Sequence, residues 1–238
     1  IGEEMIKTDT AAADTNFFTR IVAAYSADSN YAKGAEWASR ATAKFPQNAN
    51  LWMLSAQLAR QAGQAPQALA SVGKALAINP KAERANLMVA QIYMEMNQPD
   101  SVVAALQRAE ASGDDKTLIG GMALSLGNRM RTAFTQSKKT EDGQEALKVL
   151  AYSDKVNPSD NAKFLQGIIN LTMGQQLLTE ASAEKSCDKA KLANDAFTNA
   201  QIQIPAGGKA FPDQAKAALE GLMQLIPYGD RATKALCK

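Results

Sequence analysis

Apolar residues recur along this chain at helical spacings of three and four, and the arrangement then repeats at a longer interval. Trp52, Ala56 and Ala59 mark one face of a helix. After Gly63, a residue that takes positive φ without penalty, Ala68, Val72 and Ala75 mark the facing stripe of a second helix that stops at Asn79-Pro80. The pattern predicts an αα-hairpin over Trp52 to Pro80. Upstream, Phe18, Ile21, Val22 and Tyr25 precede Gly34, Ala38, Ala41 and Pro46. Downstream, Asn86, Val89, Ala90 and Tyr93 precede Val102, Leu106 and Ala109, with Asp114 in the proline slot. Local punctuation agrees with the stripes. Asp14 or Thr15 is the expected N-cap of the first helix, Ser29-Asn30, Gly63 and Asn97 are the expected reversals, and Pro66 and Pro99 stand where a second helix begins and a missing N–H costs nothing.

Pro46 and Pro80 stand 34 residues apart, and the spacing within each unit follows W-x2-L-G-x2-Y…A-x3-F…P in degenerate form. Residues Phe18 to Ala109 therefore resemble the tetratricopeptide repeat family. Further on the resemblance persists in the second helix of each unit, through Ala146, Leu150, Ser153 and Pro158, then Ala193, Phe197, Ala200 and Pro205. The stops at Asp114, Pro158 and Pro205 are 44 and 47 residues apart, so the fourth and fifth units carry a surplus over the period. In the fourth, the charged stretch Ser137 to Gly143 reads as a loop beside a first helix lengthened from about Thr117. In the fifth, Phe164, Gly167, Ile168 and Leu171 fit the first helix, which assigns the surplus to Leu178 to Asp188.

The expected architecture is all-α, a right-handed α-α superhelix of about five helix pairs with a C-terminal capping pair. Its parts are a lead-in over residues 1–13, repeats over 14–206 (15–48, 49–82, 83–116, 117–160 and 161–206), and a cap over 207–238. Within the cap, Gly207-Gly208 breaks the chain, Pro212 opens a helix through about Ile226, Pro227 closes it, and a short helix takes Asp230 to Cys237. Leu219, Leu222, Met223 and Ile226 form the apolar stripe of the first of these helices, with Lys216 and Glu220 on its wet face.

Composition narrows the function. Apolar residues make up 46% and charged residues 21% of 238, which indicates a packed chain rather than a disordered one. A net charge of +2 gives no reason to expect nucleic acid or an anionic membrane as partner. No apolar run approaches a membrane span of about 18 residues. Ile1 is not a natural start, so a segment is expected upstream of it. The two cysteines, Cys187 and Cys237, lie outside the repeat cores. They are expected to pair, stapling the last helix to the fifth unit in an oxidising, extracytoplasmic setting such as the periplasm; the alternative is two unrelated thiols of a cytoplasmic protein. Two cysteines and no histidine cannot furnish the four ligands of a structural zinc site.

Catalytic signatures are thin. The absence of His removes the commonest general base and His-based triads. Gly207-Gly208-Lys209 lacks the spacing of a phosphate loop. Ser71-x-x-Lys74 and Ser182-x-x-Lys185 match S-x-x-K, and Ser159-Asp160-Asn161 matches S-D-N, but no K-T-G accompanies them. Ser71 falls inside a repeat helix and Ser159 where an N-cap belongs. Asn170-Leu171-Thr172 fits the glycosylation sequon, yet falls mid-helix.

The family resemblance implies a non-enzymatic module without cofactor or metal, whose first helices line a concave groove for a peptide or protein segment. The positions so implied are Asn16, Thr19, Ala23, Asn50, Met53, Gln57, Arg60, Arg84, Leu87, Gln91 and Met94. The alternative for Met53, Leu87 and Met94 is sideways packing between neighbouring first helices. One branch of the family clamps the acidic tail of heat-shock chaperones with Lys, Asn, Asn, Lys and Arg; Thr19, Ala23, Leu54, Arg84 and Met88 stand at those places, with only Arg84 keeping the charge, which argues against that partner. Two other functions fit the same pattern: a scaffold packed within a larger envelope protein, and a regulatory domain of an enzyme whose catalytic part lies elsewhere.

Overall fold

The computed structural model describes residues 14–237, so the expected lead-in over 1–13 lies outside the described residues. Among these residues every regular element is a helix. The architecture is all-α and tetratricopeptide-like. The chain divides into two compact units at Asp114/Asp115.

The first unit holds three helix pairs: α1 (Thr15–Ala27) with α2 (Tyr31–Lys44), α3 (Ala49–Gln61) with α4 (Ala65–Ile78), and α5 (Ala85–Glu95) with α6 (Pro99–Ser112). Helix starts are set by short polar side chains. Asp14 accepts from the Phe17 amide at 2.8 Å, and Asn30 and Asn48 cap α2 and α3 in the same way. Reversals use left-handed backbone at Ser29, Gly63 and Asn97, with φ of 54°, 74° and 55°. Ala38, Ala41, Ala56, Ala59, Ala68, Ala75, Ala90 and Ala105 are wholly buried. A side chain of one carbon lets neighbouring helices approach closely enough to exclude water, and this is why the repeat keeps small residues at those positions. An edge-to-face cluster of Phe17, Phe18, Trp37 and Phe45 joins the first two helices. Polar bonds add to this packing. Trp52 donates its indole N–H to the Pro46 carbonyl at 2.8 Å, and the Ser55 and Ser71 hydroxyls bond at 3.2 Å inside the second pair.

The second unit holds α7 (Lys116–Ser137), α8 (Thr140–Val156), α9 (Asp160–Glu184), α10 (Cys187–Gly207), a single 3-10 turn (Gly208–Ala210) and α11 (Pro212–Leu236). Here the structure corrects the sequence reading in three places. Ser137 to Gly143 and Leu178 to Asp188 are not loops: the surplus lengthens all four helices, leaving two-residue links at 138–139 and 185–186. Lys138 and Lys185 close the preceding helices with φ of 56° and 58°, a left-handed cap made without glycine. Gly143 instead sits inside α8, where a Cβ would meet the Phe134 ring at 3.2 Å.

The second correction is at the C-terminal end, where one helix of 25 residues replaces the expected pair. Pro227 lies inside it. A proline deprives the carbonyl four residues earlier of its partner. That residue is Met223, 71% exposed, so solvent can take the place of the missing donor and the helix continues. Pro205 is likewise inside α10, opposite the exposed Gln201. The break expected at Gly207-Gly208 is present, since α10 ends at Gly207; a Cβ there would also overlap the Asp160 carbonyl oxygen and the Phe164 amide, so glycine is required by a backbone crossing between α9 and α10.

The third correction concerns the cap's apolar stripe. Leu222 is buried and Leu219 and Ile226 are half-buried, but Met223 points to solvent. The core of this unit gathers Phe134, Leu150, Phe164, Ile169, Phe197, Ile204 and Leu222. A polar seam crosses it. Asn170 Nδ2 donates to Gln203 Oε1 at 2.8 Å and to the Gln166 carbonyl at 3.1 Å, and Gln203 Nε2 donates to Gln166 Oε1 at 3.3 Å. These bonds satisfy amides that would otherwise be costly to bury, and they leave Asn170, 4% exposed, inaccessible to a glycosyl transferase acting on the folded chain.

One surface ion cluster joins α9 to α10. Lys189 Nζ donates to Glu180 Oε2 and Glu184 Oε1, both at 2.7 Å, and Gln176 Nε2 donates to Glu180 Oε1 at 3.0 Å. The Lys189 hydrogen bond, supported by Gln176, holds the Glu180 carboxyl below its ordinary 4.5. The bonds to Glu180 and then Glu184 raise Lys189 above its ordinary 10.5. Glu180 therefore contributes stability that is present above about pH 4.5 and lost as pH falls through its lowered folded value; Lys189 contributes below about pH 10.5 and loses its share as pH rises past that value. Acid thermal scans should show the effect. We expect Glu180→Gln to flatten the decline of the second unit's melting temperature below about pH 4, and an unchanged acid limb would show that the cluster adds nothing.

Candidate functional site

Positions spaced along α1, α3 and α5 of the first unit form the site expected from the sequence. On α1, Asn16, Thr19 and Ala23 are exposed, and Thr19 Oγ1 donates to the Thr15 carbonyl at 2.8 Å, which leaves its lone pairs outward. On α3, Gln57 and Asn50 are exposed and Met53 is half-buried. On α5, Gln91 is exposed and Met94 half-buried.

Arg60 is the most constrained of the set. Its Nη1 reaches Glu95 Oε1 at 2.5 Å, linking α3 to α5 across successive repeats. Its Nε is buried and finds no acceptor among the described residues. The side chain as a whole is 25% exposed, so a guanidinium already fixed by Glu95 still presents N–H groups outward. Arg84 stands apart from this geometry. It precedes α5 in left-handed backbone with φ 59°, its amide donates to Asp114 Oδ1 at 3.1 Å, and its guanidinium lies in solvent 3.7 Å from Glu83. The link between repeats made by Asp114 is thus a backbone clasp, and an ion pair this exposed contributes little.

Leu87 does not belong to the site. It is 4% exposed, packed inside the unit, whereas Met53 and Met94 keep part of their surface. The reading of Leu87 as a groove contact is corrected to core, in line with its burial.

A second recess, in the second unit, was not anticipated. Thr135, Phe134 and Lys138 from the end of α7 and Thr172, Gln175, Gln176 and Thr179 from α9 enclose about 190 Å³. Thr135, Thr172 and Thr179 each donate to a carbonyl of their own helix, so their free lone pairs accept. The signal was present in the sequence as a polar stripe at i, i+3, i+4 and i+7 on α9, but it ran into a segment read as an inserted loop.

The serines that resembled catalytic signatures have structural work. Ser71 is buried against Ser55, Ser159 Oγ caps α9 by accepting from the Ala162 amide at 3.1 Å, and Ser182 donates to the Leu178 carbonyl. Among the described residues no group of His, Cys, Asp and Glu is placed to hold a metal ion, and no helix is long and apolar enough to cross a membrane. Cys187 and Cys237 are joined in a disulfide, with Cα atoms 4.9 Å apart, fastening the end of α11 to the start of α10.

Comparison with known proteins gives a consistent fold. Residues 59–121 match the tetratricopeptide repeat family. A TPR repeats protein from Bacteroides fragilis superposes with a TM-score of 0.61 at 16% identity, covering 90% of this chain and 99% of the other. The MamA protein superposes with a TM-score of 0.52 at 14% identity, covering 82% and 94%. No match emerges among curated protein sequences.

Proposed function

We propose that this tetratricopeptide-like repeat protein is a non-enzymatic interaction module whose first unit holds an extended protein segment against α1, α3 and α5. The fold is one suited to protein interaction or scaffolding. The observation that carries the finer reading is Arg60, whose guanidinium is pinned by Glu95 while 25% of its side chain stays exposed. A backbone carbonyl or side-chain carboxylate of a bound segment is the acceptor that fits it. Gln57 and Gln91, exposed on the two helices that Arg60 connects, can donate and accept along a peptide backbone. Met53 and Met94 offer polarizable, adaptable surface beside them. The Cys187–Cys237 bond supports an extracytoplasmic location, the periplasm being the one proposed.

Panning a random peptide library on the intact chain tests this. Enriched peptides are expected to lose about tenfold or more in affinity on Arg60→Ala, a cost of at least about 1.4 kcal/mol, with the helical circular-dichroism signal unchanged. Ligands that bind Arg60→Ala and Gln57→Ala as well as the wild type would remove this face as the binding surface.

A further inference from the structure

The outer side of α11 has no helix of its own unit covering it. Here Met223 is 71% exposed and Ile202, on the neighbouring α10, 65%. Of the five large apolar side chains exposed among the described residues, four belong to these last two helices. Between the helices lies an open cleft of about 450 Å³, lined by Pro205, Pro212, Leu219 and Met223 with Lys216 and Glu220 at its edge. Its charged groups are Lys209, Lys216 and Glu220, none with an ion-pair partner among the described residues, although one helical turn separates Lys216 from Glu220.

We propose that this face is the contact through which two copies of the chain associate. The surface is self-complementary. Met223 is both a wall of the cleft and a protruding side chain, so a two-fold axis lets each copy's Met223 enter the other's cleft. When two α11 helices cross antiparallel about that axis, Lys216 of each copy faces Glu220 of the other, and two unpaired charges become two pairs that set the register. A net charge of +2 on 238 residues raises no appreciable barrier to self-association. The disulfide at the end of α11 holds the helix in place for the encounter, so little ordering is required on binding. The inference does not depend on the peptide face of the first unit.

Sedimentation equilibrium over about 1 to 100 µM reads the outcome, with a dimer dissociation constant expected on the order of 10 µM for a contact of this size. Met223→Asp and, on the other helix, Ile202→Asp should each raise it at least about tenfold. Lys216→Glu alone and Glu220→Lys alone should each be monomeric, since like charges then meet, and an equimolar mixture of the two should recover a heterodimer. All four side chains are solvent-facing, and matching melting curves confirm that the variants fold. A wild type that stays monomeric throughout the range overturns the proposal, as does a dimer indifferent to both apolar substitutions. A mixture of the charge variants that fails to associate overturns the two-fold register.

Discussion

Replacing Cys237 with Ser is expected to lower the stability of the second unit by about 3 to 4 kcal/mol, the largest loss available from a single atom change in this chain. The bond closes a loop across a sequence separation of 50 residues, and its removal enlarges the unfolded ensemble accordingly. The folded state also depends on it. Near this end α11 is otherwise held to α10 by the Asn194 to Thr233 hydrogen bond at 3.0 Å and by the approach of Gly229 to Asn194, while Tyr228 lies in solvent. Urea unfolding followed by circular dichroism, with and without reductant, is the measurement. Wild type in reductant should coincide with Cys237→Ser in either condition, and a difference between oxidised and reduced wild type below about 1 kcal/mol would mean that the unfolded loop is already restricted or the helix end already secure.

Leu87→Asp should destabilise the first unit by a comparable amount, about 4 kcal/mol, from the lost burial of the leucine side chain together with the penalty for a carboxylate in its place. Met53→Glu, one repeat earlier and only half-buried, is expected to stay within about 1 kcal/mol of wild type. The contrast decides between core and surface for positions that one helical periodicity treats alike. Equal melting temperatures for the two variants would return Leu87 to the exposed face.

That pair also shows where sequence reasoning stops. Periodicity identified the helices of the first unit because small residues at Ala38, Ala56, Ala68 and Ala90 sit where close approach demands them, and because Gly63 and Asn97 supply left-handed backbone between stripes. It could not rank Met53 against Leu87. Both stand at the same place in the repeat, one period apart, yet Leu87 is buried and Met53 only half-buried. In the second unit, glycine and proline misled for a common reason. Gly143 looked like an interruption but is a point of close contact with Phe134, and Gly207, which does end α10, is also held to glycine by its approach to the α9 backbone. Pro205 and Pro227 looked like stops but spoil only carbonyls on the wet side of a long helix. Charge in Ser137 to Gly143 indicated exposure, which is true of Ser137, Lys138, Lys139 and Glu141 while Thr140 and Asp142 are half-buried and Gly143 buried, and exposure was read as loop, which does not follow. The polar recess near Gln175 was lost with it, whereas the Arg60 to Glu95 bridge was invisible for another reason: nothing in the sequence reports a contact 35 residues long.

The two-residue links between the long helices of the second unit bear on how the chain acquires its structure. Each helix there packs on the next or the next but one, so nearly all partners are close in sequence and hairpins can form early and independently. The Cys187 thiol is held beside Cys237 only once α10 has formed and α11 has docked along it; before that, closing a loop of this length carries an entropic cost. Oxidation is therefore a late event that certifies a finished hairpin stack, and in a refolding time course the appearance of the bond should lag the recovery of helicity. A quality-control oxidoreductase that samples free thiols would, on this chain, be sampling the unassembled state of its last helix.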